Sequence, residues 1–156
     1  MKKAAIVVLA ALVLITFSGC RFKVNAENIV EKYDSLTEWL GHFQITRDYQ
    51  LIGERKYGSD HYIGSSTSDC QSVSGRDVIF GGASIKQRKI KLSASIIAEN
   101  GSATVRIRLG ADVEEQKFTS NGYLEKELIL NGGSYIMLDY DNFSGSVLLT
   151  SDYITE

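Results

Sequence analysis

A chain of 156 residues with 17 Lys and Arg against 19 Asp and Glu has a formal net charge of −2. That length suits a single domain, and the balance excludes the basic footprint that binds nucleic acid. There is no proline, so turns must be made by the 14 glycines together with Asn, Asp and Ser.

The chain opens Met1-Lys2-Lys3, continues with an apolar run from Ala4 to Phe17, and closes that stretch with Ser18-Gly19-Cys20. A charged start, an apolar core and small residues before a cut site form the secretory signal pattern. The run is about 14 residues, short of the roughly 20 that span a bilayer. Ser18-Gly19-Cys20 resembles the lipobox of bacterial lipoproteins, departing from it at Phe17, where that family more often has Leu or another aliphatic. The resemblance implies cleavage after Gly19, a diacylglycerol on the Cys20 thiol, and residence at the extracytoplasmic face of a cell membrane. This covalent lipid is the only added group expected; nothing in the sequence calls for a cofactor or a metal. Two or more acyl chains make such an anchor durable. Without residues 1–19 the mature chain has 137 residues and a net charge of −4. Cys70 then has no partner for an internal disulfide, and it reads as a small half-buried hydrophobe. The exported part is similar in character to small surface lipoproteins of Gram-positive bacteria.

Residues 20–26 form a lipidated polar leader. Over 27–41 the spacing of Ile29, Tyr33, Leu36 and Leu40 predicts one short amphipathic α-helix, with Asn25 to cap it and Gly41 to stop it. Its polar face carries Glu27, Glu31, Asp34 and Glu38 with only Lys32 as a base, which suits packing on the following domain better than lying on anionic lipid. From His42 the period changes to two. A first strand is predicted over 44–52, others over 61–73 and 77–80. The strongest alternation runs through Ile90, Leu92, Ala94 and Ile96, then Ala103, Val105, Ile107 and Leu109. Asn100-Gly101 between these runs predicts a two-residue hairpin. Further strands over 113–119, 123–130, 135–140 and 146–153 complete the pattern. Short strands with turn signals every eight to twelve residues predict a mainly β domain over 42–156, an antiparallel, jelly-roll-like sandwich after the helix.

Four constellations carry candidate chemistry. On the non-core parity lie Lys89, Lys91, Arg106, Arg108, Glu125 and Glu127. Arg106 and Arg108 are suited to clamp a carboxylate or phosphate, unless the glutamates beside them neutralise the pair. Tyr123 and Tyr135 share that parity and could stack on a sugar, with Tyr57 and Tyr62 in the Gly-rich segment before them. The oxygen-rich stretch Asp139–Gly145 imitates the start of a calcium loop, but Phe143 stands at a ligand position and no closing Glu follows, so it reads as a turn. His61 with Asp60 and Cys70 could in principle pair for nucleophilic catalysis, yet no nucleophile motif accompanies them. These readings favour a non-catalytic binding domain at the cell envelope, for a glycan, peptide or protein ligand. The alternatives are an immunity or inhibitor lipoprotein that sequesters a toxic peptide, and a hydrolase using a carboxylate pair such as Glu125 and Asp139.

Overall fold

The computed structural model describes residues 34, 36, 37, 41 and 43–154. Contacts divide the chain into two units, Met1–Val30 and Glu31–Glu156, and every described residue belongs to the second. The expected signal over 1–19, the leader over 20–26 with Cys20, and most of the expected helix over 27–41 lie outside the described residues. The described elements are one 3₁₀ turn, Asp48–Gln50, and four strands: β1 (Glu54–Tyr57), β2 (Gly64–Leu109), β3 (Asp112–Phe118) and β4 (Gly122–Tyr153). The described residues within 27–41, namely 34, 36, 37 and 41, have helical backbone.

All pairings are antiparallel. β2 and β4 are long because each turns through several legs, and the legs sort into two layers. In one layer the neighbours run β1, 64–70, 145–153, 88–98, 122–130. In the other they run 73–84, 132–143, 102–109 and then β3. This is the connectivity of a jelly roll: from 64–70 onward consecutive legs alternate between two sheets, except that 102–109 and β3 are neighbours in one. Ile90, Leu92, Ala94, Ile96, Leu128 and Leu149 of the five-leg layer share one buried cluster with Phe80, Val105, Ile107, Ile136 and Leu138 of the four-leg layer. The alternation read from the sequence at 89–98 and 103–109 thus faces the core. Slipping either run by one residue would expose it, at on the order of 2 kcal/mol per Ile or Leu.

The pairing corrects two sequence expectations. Asn100-Gly101 does not close a hairpin. Leg 88–98 pairs with 145–153 and with 122–130, whereas leg 102–109 pairs with 132–143 and with β3. The dipeptide is a corner at which the chain leaves one layer for the other. Gly101 has φ 68°, and a Cβ there would lie 2.1 Å from the Asn142 carbonyl oxygen, so the corner takes only glycine. Likewise 113–118 and 122–130 follow each other closely in sequence but pair in different layers. Secondly, 44–52 is not a strand. It carries the 3₁₀ turn and is fastened to the edge of leg 73–84 by Thr46 N–H to Val78 O, 3.1 Å.

The oxygen-rich stretch at 139–145 is a corner too. Asn142 adopts φ 46°, its N–H donates to Ser74 Oγ, and the Ser72 N–H donates to Ser144 Oγ. Its side chains are used to knit adjoining corners together, and Asp139 is taken by an arginine described below.

Candidate functional site

Residues that leave the four-leg layer away from the core form rows set by the register. Val78, Met137, Arg106 and Glu115 make one row; Tyr135, Arg108 and Val113 make the next; Arg76 and Asp139 lie opposite each other beyond the first. Because Ile136, Leu138 and Tyr140 point into the core, Tyr135, Met137 and Asp139 must point out. All of these except Glu115 and Asp139, together with Gln44, line an open groove of about 450 Å³. Of the candidate residues named from the sequence, Arg106, Arg108 and Tyr135 meet here.

Their environments differ from the sequence expectation. Tyr135 is on the outward parity but is only 3% exposed. Its hydroxyl donates to Gly41 O at 3.3 Å, and the Arg108 guanidinium lies over its ring at 5.8 Å. It therefore cannot offer a bare stacking face. Burial pushes the Tyr135 hydroxyl up, against the pull of the Arg108 charge. Tyr123, by contrast, stands 61% exposed on the outer face of the other layer, with its hydroxyl donated to Glu125 at 2.7 Å. The tyrosines do not form one platform.

The charged face also separates. Lys89, Lys91, Glu125 and Glu127 belong to legs of the five-leg layer, where Lys91 pairs with Glu125 at 2.8 Å. Arg106 and Arg108 belong to the four-leg layer, and the carboxylate neutralising Arg106 is Glu115 on β3. Arg76 grips Asp139 with two hydrogen bonds, Nε to Oδ1 at 2.5 Å and Nη2 to Oδ2 at 2.6 Å. That grip raises the Arg76 guanidinium's affinity for its proton. Arg108 donates its Nε to Gly110 O at 3.0 Å and has no ion-pair partner among the described residues.

The catalytic alternatives lose their geometry. Glu125 and Asp139 sit in different layers, on outer faces that point apart, and each is held by a cation. Cys70 is buried, and burial pushes its thiol up, away from the thiolate that nucleophilic chemistry needs. His61 instead meets the Tyr57 ring edge-on at 4.7 Å. Among the described residues no group of three His, Cys, Asp or Glu could hold a metal ion.

Sequence reading missed Arg76, Gln44, Val78, Val113 and Met137. Arg76 had a weak signal, since it stands two positions from Val78 and shares its parity. Nothing local says that leg 73–84 lies beside 132–143, and only that pairing puts Arg76 opposite Asp139.

No family model and no curated protein matches the chain. Solved structures with similar strand arrangements include the bacteriophage PRD1 vertex protein P5, at 10% identity over 65% of this chain and 94% of that one, with a TM-score of 0.40. A carbohydrate-binding module of Cellvibrio mixtus lichenase 5A, in complex with cellotriose, matches at 10% identity over 74% and 95%, TM-score 0.38. The N-terminal cellulose-binding domain of Cellulomonas fimi β-1,4-glucanase C matches at 13% identity over 64% and 88%, TM-score 0.34. At these identities and TM-scores none of the likenesses carries a function across.

Proposed function

We propose that this chain is a lipid-anchored extracytoplasmic protein whose β domain binds a glycan without acting on it, and that the groove on the four-leg layer takes a sugar bearing a carboxylate. The observation that carries this reading is Arg108. Arg76 and Arg106 are each committed to a carboxylate, whereas Arg108 has none among the described residues and is propped on the Tyr135 ring. A guanidinium fixed in this way presents its remaining N–H groups as a fork for a carboxylate. The Val78, Val113 and Met137 side chains supply an apolar floor for the C–H face of a sugar.

Binding is favoured over hydrolysis because the carboxylates nearest the groove are occupied. A glycosidase needs one protonated carboxyl and one free carboxylate across the scissile bond; Asp139 and Glu115 are both in ion pairs. A toxin-sequestering lipoprotein would need an acidic surface for a cationic peptide, and the groove offers guanidinium instead. The anchor rests on the lipobox-like Ser18-Gly19-Cys20.

The test is a calorimetric titration of the full chain in detergent with galacturonate oligomers, neutral galactose oligomers and a carboxylate-ended peptide. The acidic oligomer should bind, and Arg108→Ala should weaken it roughly 10- to 100-fold, the worth of a charge-assisted hydrogen-bond pair. Unchanged affinity would overturn the groove, and preference for the peptide would overturn the glycan. Cys20→Ser should move the protein from the membrane to the soluble fraction, with the mature N-terminal mass shifted accordingly.

A further inference from the structure

A second concavity, of about 480 Å³, lies between the segment 43–49 and the β1 hairpin, away from the arginine groove. Phe43, Tyr49, Tyr57 and His61 wall it, with Asp48 and Arg55 behind. Phe43 is 65% exposed and Tyr49 75% exposed. Large aromatic side chains standing out from a flexible loop would mean little, but this segment is pinned. Arg55 Nη1 donates to Val78 O and Ile79 O at 3.1 and 3.0 Å, and Nη2 donates to Thr46 O at 2.7 Å. Thr46 Oγ1 accepts from Val78 N–H at 2.8 Å, and Asp77 Oδ2 accepts from Ile52 N–H at 2.8 Å. The rings are therefore held out on a fixed backbone, which lowers the ordering cost of binding.

The cleft's lining carries Arg47 and Arg55 against Asp48. The Arg55 side chain is 3% exposed and pairs with Asp48 at 2.6 Å, while Arg47 donates to Tyr49 Oη at 3.0 Å. Two donors are nevertheless left over in this wall. Tyr57 Oη and Arg55 Nε are buried with no hydrogen-bond partner. Buried polar groups in folded proteins are paired almost without exception, and each of these two calls for a partner, water or ligand. The Tyr57 ring is fixed by Arg55 at 4.6 Å and by His61 at 4.7 Å.

Exposed rings and unpartnered donors together match one ligand chemistry: a ring with an apolar C–H face and acceptor oxygens at its rim. We infer that this cleft is a second binding site, for a pyranose, which packs on Tyr49 and Phe43 and turns its hydroxyl oxygens toward Tyr57 and Arg55. It uses different residues from the groove and stands whether or not the groove binds a carboxylate.

The test uses the full chain in detergent, titrated with hexamers of glucose (β-1,4), xylose, mannose and N-acetylglucosamine, and followed by saturation-transfer NMR. At least one should bind, with transfer strongest at the ring C–H protons. Tyr49→Ala should lower its affinity tenfold or more with an unchanged melting temperature, because the side chain is mostly in water. Tyr57→Phe should weaken binding several-fold without loss of stability, which a merely structural tyrosine would not do. Arg108→Ala should leave this affinity within twofold. Failure of all four hexamers to bind would overturn the inference, as would undiminished binding by Tyr49→Ala. Binding lost in Arg108→Ala but kept in Tyr49→Ala would also overturn it, placing neutral sugars in the groove.

Discussion

The outer faces of the two layers have the same parity and similar residues, yet they differ in kind. On the five-leg layer, Lys91, Glu125 and Tyr123 form a solvated chain of contacts among short Ser and Thr side chains such as Ser93 and Thr150. On the four-leg layer, Tyr135 and Met137 are buried although neither belongs to the cluster between the layers, and the segment around Gly41, Ile45 and Thr46 comes over the sheet from outside. The difference teaches that alternation along a strand states which way a side chain leaves its own sheet. Whether it then meets water depends on chain that arrives from elsewhere, here fastened by one buried arginine.

Removing that fastener should have the largest effect. Arg55→Ala removes a donor from each of the carbonyls of Thr46, Val78 and Ile79, and urea unfolding should show a loss of about 3 kcal/mol. A loss under about 1 kcal/mol would mean that the covering segment contributes little and that the two faces are alike. Next comes the pair of tyrosines. Tyr135→Ala should cost about 3 kcal/mol as a buried aromatic truncation, while Tyr123→Ala should stay within about 0.5 kcal/mol as a surface change. Equal costs would erase the contrast.

Smaller, and readable in pH, is the behaviour of two buried aspartates. Burial raises the Asp77 carboxyl, and the donations from Ile52 N–H and Thr46 and the nearby Arg55 charge only partly offset it. A folded value above the unfolded one means that Asp77 adds stability at low pH, lost as pH rises through the raised value. At Asp34 burial also raises, but hydrogen bonds from Ser84, Ile85 N–H and Lys86 outweigh it, and the net shift is downward. Its contribution is present above the ordinary carboxylate range and is lost as pH falls through the depressed value. Thermal melts of Asp77→Asn should therefore gain on wild type as pH rises past the carboxylate range, and those of Asp34→Asn should fall behind. The same sign for both variants would refute the assignment. Least of all, Lys91→Ala should leave the melting temperature unmoved, since its partner Glu125 is in water.

Much of this was legible in the sequence. The inward run Ile90, Leu92, Ala94, Ile96 and the outward Arg106 and Arg108 follow from period two alone. The partners of those strands did not, because Asn100-Gly101 reports only that positive φ is tolerated. A hairpin and a layer-crossing corner both need that, and the choice between them is made by the Asn142 carbonyl some forty residues on. Arg76 and Asp139, or Arg55 and Val78, become neighbours for the same reason. Short-range pattern gives each strand its faces, while the identity of the groove and the cleft depends on which distant strands come together.

The layer-crossing corners also govern how the domain is assembled in time. Leg 64–70, among the first strands made, has its interior neighbour at 145–153, the last. Little of either sheet can close locally, and such distant pairings slow the search for the native arrangement. The chain has no proline, so the slow isomerisation that delays many proteins is absent here. Refolding should then follow one rate set by topology. A nascent chain with these pairings stays open until its final strand is released, which is the condition in which a polypeptide can be threaded across a membrane.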